Sequence, residues 1–162
     1  MDHEVSLCKN IDCLTLIFTW LGFSSSPASA AGLCKNTACE GLNPATMQCP
    51  ATGSGAVKVL PDGASIVETR KSGTADCDAK WARTKNLSGG SRYAAASLRY
   101  GCSNYCYNQS VTSPGTIYSG NVVYTPMHAY AATPTRSCGD VSTSGPIPVP
   151  IGISSTFCTG AN

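Results

Sequence analysis

Val57 to Arg70 reads V-K-V-L-P-D-G-A-S-I-V-E-T-R, and this stretch decides the fold class. Val57 and Val59 alternate around Lys58, and Ile66 to Arg70 runs on as a second extended segment. Alternation puts successive side chains on opposite faces of a strand. Pro61-Asp62-Gly63 between the two runs is a hairpin signal, because Gly63 can take a positive φ without steric cost. The stretch predicts an antiparallel hairpin with Leu60 facing Ala64 across the turn. Glu68 and Arg70 then share one face, and Val67 and Thr69 the other.

In that register Cys49 and Cys77 lie two residues from being opposed, at the open ends of one hairpin, which predicts a bond between them. They belong to a larger set. Of ten cysteines, eight follow Ala30: Cys34, Cys39, Cys49, Cys77, Cys102, Cys106, Cys138 and Cys158. An even set in a short segment points to a disulfide-stapled extracellular domain. Cys34-x4-Cys39 and Cys102-x3-Cys106 read as staples and not as zinc sites. Structural zinc favours C-x2-C spacing, and His128 is the only histidine after Ala30. The remaining connectivity stays open from sequence.

Residues 1–30 read as a signal peptide. Ile11 to Phe23 is the only long apolar run, and Ala28-Ser29-Ala30 supplies the small residues that signal peptidase accepts. The run is shorter than the ~20 residues that cross a hydrocarbon core, so no membrane span is expected after cleavage. The start is atypical, with Asp2 and Glu4 against Lys9. Leu33 in front of Cys34 argues against lipid attachment. Residues 31–162 then form a single secreted Cys-rich β domain.

That domain carries ten basic and six acidic side chains, a net charge of +4, without a Lys/Arg block. Nucleic-acid binding needs a dense basic face and is not expected. Charged residues make up only 12% of the chain, about half the usual share, and Ser, Thr, Gly and Asn supply the polarity. Such composition suits extracellular β domains. The fold class expected is mainly β: a small disulfide-stapled sandwich or barrel-like domain with long loops. Within it, Trp81-Ala82-Arg83 reads as a strand or a short helix. Arg92 to Gly101 reads as a strand despite its three alanines. Two runs flank a Gly120-Asn121 turn between Ile117 and Met127. From Asp140 to Thr156 three prolines predict an extended, irregular course.

Cys34, Cys39, Gly41-Leu42-Asn43-Pro44, Cys49, Glu68-Thr69-Arg70-Lys71-Ser72, Cys77 and Trp81-Ala82-Arg83 follow in an order that resembles the YjfA-like family of small secreted bacterial proteins. Tyr124-Thr125-Pro126-Met127 resembles an element near that family's end. The chain departs from the pattern with Asn43 for Asp, Gln48 for Gly and Thr69 for Leu. The resemblance spans about Cys34 to Cys138, apart from Tyr100 to Gly120. It implies secretion and a β-rich fold, and brings no established activity or catalytic residue.

Several residues invite chemical readings. A Ser-His-Asp arrangement would have to use His128, but no Gly-x-Ser-x-Gly elbow occurs, and a lone histidine reads as a surface or turn residue. A glycosidase needs two facing carboxylates. The available acids are Glu40, Asp62, Glu68, Asp76, Asp78 and Asp140. Arg83 is expected to pair with Glu68 beneath Trp81, a structural arrangement. Two sequons, Asn86-Leu87-Ser88 and Asn108-Gln109-Ser110, read as loops. The best functional lead is aromatic: Tyr100, Tyr105, Tyr107 and Tyr118 lie in or beside the Cys102/Cys106 insertion. Exposed tyrosines stack on sugars and mediate protein contacts. The expectation is that at least two of these four rings are exposed on a common face and bind, while His128 takes no part.

The chain therefore reads as a secreted, non-enzymatic cell-surface or matrix module, structural, adhesive or glycan-binding. Its partner would be a polysaccharide, a cell-surface protein or another copy of itself. No cofactor and no metal is expected. The alternatives are a small secreted hydrolase using His128 or Glu68, and an inhibitor or toxin-like effector.

Overall fold

A computed structural model describes residues 34–74, 76–101, 107–152 and 154–161. The expectations for the leader and for Cys102, Tyr105 and Cys106 lie outside the described residues. The protein is mainly β, with eight strands among the described residues: β1 (Gly53–Val59), β2 (Ile66–Thr74), β3 (Cys77–Lys85), β4 (Tyr93–Tyr100), β5 (Tyr107–Thr112), β6 (Val122–Tyr124), β7 (His128–Ala129) and β8 (Thr135–Ser142). One sheet runs β1-β2-β3-β6, with β7 also on β3, and the other runs β5-β4-β8. All named pairs are antiparallel. The sheets stay separate, so the architecture is a sandwich and not a closed barrel.

The β1–β2 hairpin forms with a register one residue from that expected. Val59 faces Ile66, and Leu60 donates its N–H to Ser65 O at 2.8 Å, so Leu60 opposes Ser65 and not Ala64. The cause is Asp62. Its carboxylate accepts the N–H groups of Ala64 and Ser65 and the Ser65 hydroxyl, at 3.2, 2.9 and 2.6 Å. This closes a four-residue loop, with Gly63 at φ 73. A bulge between Ser54 and Val57 then adds a residue to β1 and restores the expected register, Ser54 facing Arg70. The Cys49–Cys77 bond is present. Cys77, however, starts β3, because β2 runs on to Thr74 before turning.

The β2–β3 pairing sets two faces. Val67, Thr69, Ala82 and Thr84 point to the second sheet, joined by Val123, which opposes Thr84. They meet Ala94, Ala96 and Leu98 of β4 and Ser137 and Gly139 of β8. Small side chains line this interface, and hydroxyls tie it. Thr84 donates to Ala95 O at 2.8 Å, and the hydroxyls of Thr69 and Ser137 meet at 2.7 Å.

Each sheet is also covered outside. Residues 34–52 fold over β3, where the disulfides Cys34–Cys39 and Cys49–Cys77 pack with Ala79, Trp81 and Met127. On the far side, Ile147, Ile151 and Cys158 cover Ala95 and Cys138, with Cys138–Cys158 bonded. The segment expected to be irregular from Asp140 onward is strand as far as Ser142, since β8 lies between β4 and this C-terminal strap. Of the two runs flanking the Gly120-Asn121 turn, only Val122–Tyr124 forms a strand. Ile117 contributes a single bridge to Arg92.

Glu68 and Arg83 are direct partners across β2 and β3. Arg83 reaches one carboxylate oxygen through Nε at 2.8 Å and Nη2 at 2.5 Å, and Arg70 reaches the other at 3.3 Å. Trp81, buried at 5%, lies opposite Arg70 on the same face. Glu68 is 4% exposed, so these guanidiniums supply its hydrogen-bond partners. Arg83→Ala is expected to lower stability by about 2 kcal/mol. That is below the value for a fully buried pair, because Arg83 is partly solvated and Arg70 remains. Thermal melts of Arg83→Ala and Arg83→Lys check this, and a wild-type midpoint for Arg83→Ala would refute it.

Candidate functional site

Tyr100 ends β4 and faces Tyr107, which begins β5. Strand pairing sets their rings together, stacked with centroids 5.9 Å apart. Tyr100 also stacks on His128, with centroids 3.6 Å apart and planes within 14°. His128 belongs to β7 of the other sheet, opposite Lys80. The stack Tyr107–Tyr100–His128 thus bridges the two sheets at one end of the sandwich.

Glu40 holds the stack. It follows Cys39 at the end of the 3-10 turn Asn36–Cys39. One carboxylate oxygen accepts Gln109 Nε2 at 2.8 Å and the Tyr100 hydroxyl at 3.1 Å. The other accepts His128 Nδ1 and the Ala129 N–H, both at 2.8 Å. A carboxylate only accepts, so His128 carries its proton on Nδ1 and presents Nε2 as the acceptor when neutral. Four donors fill the carboxylate's lone-pair positions. Glu40 therefore joins the N-terminal cap to β4, β5 and β7 and orients the imidazole.

The electrostatics follow this geometry. Burial pushes the Glu40 carboxyl upward, but the Ala129 N–H, the Gln109 amide and His128 outweigh it and hold the group below its ordinary value. The Tyr100 phenol is pushed up to about 12, first by burial and then by the charge and hydrogen bond of Glu40. Lys80 donates from Nζ to Thr133 O at 2.9 Å, and burial, with Lys71 opposite, lowers its pKa. A lowered carboxyl stabilises the fold above its unfolded value near 4.5, and that contribution is lost as pH falls through the folded value. A raised phenol stabilises below pH 10, and that contribution is lost as pH rises through about 12. Ultraviolet titration should therefore show one tyrosine ionising near 12. Glu40→Gln should bring it down toward 10 without reaching it, since burial persists. An unchanged transition would remove Glu40 from this role.

The structure redistributes the residues singled out in the sequence. Tyr107 and Tyr118 are exposed at 65% and 73%. They lie far apart along β4. Ile117 bridges Arg92 at one end of β4, while Tyr107 faces Tyr100 at the other. Eight residues at ~3.3 Å each separate those ends by about 26 Å. His128 is no surface residue either. Its side chain is 12% exposed, and it forms the end of the tyrosine stack from which it had been set apart. Glu68 is occupied by Arg70 and Arg83 on the outer face of its sheet. Asn86 of the first sequon is buried, donating to Gly90 O and Ile117 O, whereas Asn108 of the second is exposed on β5.

Sequence reasoning missed Glu40 as the hub, because its partner His128 lies 88 residues away. Two shallow clefts of about 300 Å³ occur elsewhere, one beside Asp140 and Ser144 and one beside Lys58 and Ser155. Neither includes a residue of the ring stack. Among the described residues no helix is long and apolar enough to cross a membrane. Among the same residues, those that gather as metal-type ligands are Cys34, Cys49 and Cys77. No family model, no characterised protein and no solved structure matches the chain.

Proposed function

We propose that this protein is a secreted, non-enzymatic recognition module of YjfA-like type that binds carbohydrate through Tyr107. The observation that carries this reading is that Tyr107 is a 65% exposed ring packed against Tyr100, which is itself stacked on His128 and bonded to Glu40. A flat, fixed aromatic face suits the C–H face of a sugar ring. Its rigidity limits the entropy lost on binding. The cysteine set and the leader-like residues 1–30 support an extracellular setting. Glu40 acts in this reading as a positioning residue, since its four hydrogen bonds leave it engaged with the protein.

Retention on insoluble cellulose, chitin and peptidoglycan tests the proposal. The wild type should bind at least one of them. Tyr107→Ala should weaken binding about tenfold, equivalent to about 1.4 kcal/mol. Tyr118→Ala should change nothing, because it lies at the other end of β4. Absence of retention on all three, or equal loss from Tyr107→Ala and Tyr118→Ala, would sink the reading. Concentration-dependent dimerisation abolished by Tyr107→Ala would assign the ring to self-association.

A further inference from the structure

The two disulfides of the N-terminal cap touch. Cys34 Sγ lies 3.7 Å from Cys49 Sγ and 3.8 Å from Cys77 Sγ. These three sulfurs fall within 4.8 Å of one another, and Cys39 is bonded to Cys34. All four residues are buried, Cys49 most exposed at 8%. They converge from three separate pieces of chain: the 3-10 turn, the segment before β1 and the start of β3. Contacts outside the sulfurs hold these pieces in place. Cys34 N–H donates to Asp76 O at 3.1 Å, while Gly41 and Leu42 exchange backbone hydrogen bonds with Met127 at 2.9 and 2.8 Å.

Tetrahedral zinc binds thiolate at about 2.3 Å, which places neighbouring sulfurs about 3.8 Å apart. Cys34 Sγ already stands at that separation from both sulfurs of the other disulfide. Once reduced, the sulfurs of each pair would swing apart by side-chain rotation, and Cys39 Sγ, outside that group of three, would turn inward to complete the set. We propose that the reduced protein binds one Zn²⁺ through Cys34, Cys39, Cys49 and Cys77, in place of the two disulfides of the oxidised form. The chemistry balances. A phosphine and one water cleave each disulfide to two thiols and a phosphine oxide. The four thiols then release four protons to give the tetrathiolate. The metal would hold the same cap, with Glu40 at its end, under conditions where disulfides do not survive.

The test uses the full chain, reduced with a phosphine under anaerobic conditions, with and without one equivalent of Zn²⁺. Each cysteine's alkylation by iodoacetamide is followed by mass spectrometry. Zn²⁺ should slow modification of Cys34, Cys39, Cys49 and Cys77 about tenfold or more, while Cys138 and Cys158 react as before. With Co²⁺ in place of Zn²⁺, the strong ligand-field bands of a tetrahedral thiolate complex should saturate at one equivalent and disappear in Cys34→Ser. Protection that omits any of the four, protection spread evenly over all the cysteines, or no protection at all would overturn the proposal. So would cobalt bands that survive in Cys34→Ser.

Discussion

Gly139→Ala is expected to destabilise the protein by about 3 kcal/mol and to lower its melting temperature by about 10 °C. Gly139 lies in the middle of β8, opposite Ala96, on the face turned toward the other sheet. A methyl group there would collide with the Thr84 hydroxyl oxygen and stand 2.7 Å from Val67 Cβ and 2.9 Å from Val67 Cγ2. None of these is the free end of a long side chain. Val67 Cβ is fixed by its backbone, and the Thr84 hydroxyl is committed to Ala95 O. Relief requires the sheets to move apart, which also strains the Thr69–Ser137 contact. Chemical denaturation of Gly139→Ala, Thr84→Ala and the double variant would measure this. The double variant should lose less than the sum of the two single losses, because Thr84→Ala removes the closest clash. Additive losses would show that the interface accommodates the methyl elsewhere.

The second large effect concerns Cys49–Cys77. Replacing both residues with serine is expected to cost about 3–4 kcal/mol, from the chain entropy of a loop spanning 28 residues. The loss reaches beyond that loop. The bond packs against Trp81 and Met127, and the cap it anchors delivers Glu40 to His128 and Tyr100. The double serine variant should therefore lose the high-pH tyrosine transition along with stability. Removing Cys138–Cys158, at the other side of the sandwich, should lower stability while leaving that transition in place. If both variants affect the tyrosine equally, the cap and the strap are not separate supports.

The hairpin and the Cys49–Cys77 bond were legible in the sequence because both rest on local pattern. Two alternating runs around Pro61-Asp62-Gly63 admit few arrangements, and the predicted disulfide forms, although Cys77 lies in β3 and not at the hairpin's end. The one-residue error came from Asp62, whose side chain captures Ser65 and lengthens the loop. Strand β5 left little trace. Tyr107 to Thr112 is polar, and its pairing with β4 is set by neighbours, not by its own apolar pattern. β7 is two residues long and too short to show a period. The candidate site was harder still. Seven tyrosines were visible, but nothing local separates Tyr107, braced on Tyr100, from Tyr118, in the loop near the other end of β4. Glu40 and His128 become partners only when the cap folds over both sheets.

Where the two sheets meet, alanine, glycine, serine and threonine stand beside Val67, Leu98 and Val123. Opening such an interface wets methyl groups and hydroxyls together. Apolar exposure raises the heat capacity of the unfolded chain and polar exposure lowers it, so the two partly cancel. The curve of folding free energy against temperature is then broad and shallow, with the disulfides restricting the unfolded chain at every temperature alike. A module built this way keeps nearly the same margin of stability in the cold as in the warmth, a property suited to the extracellular setting proposed for it.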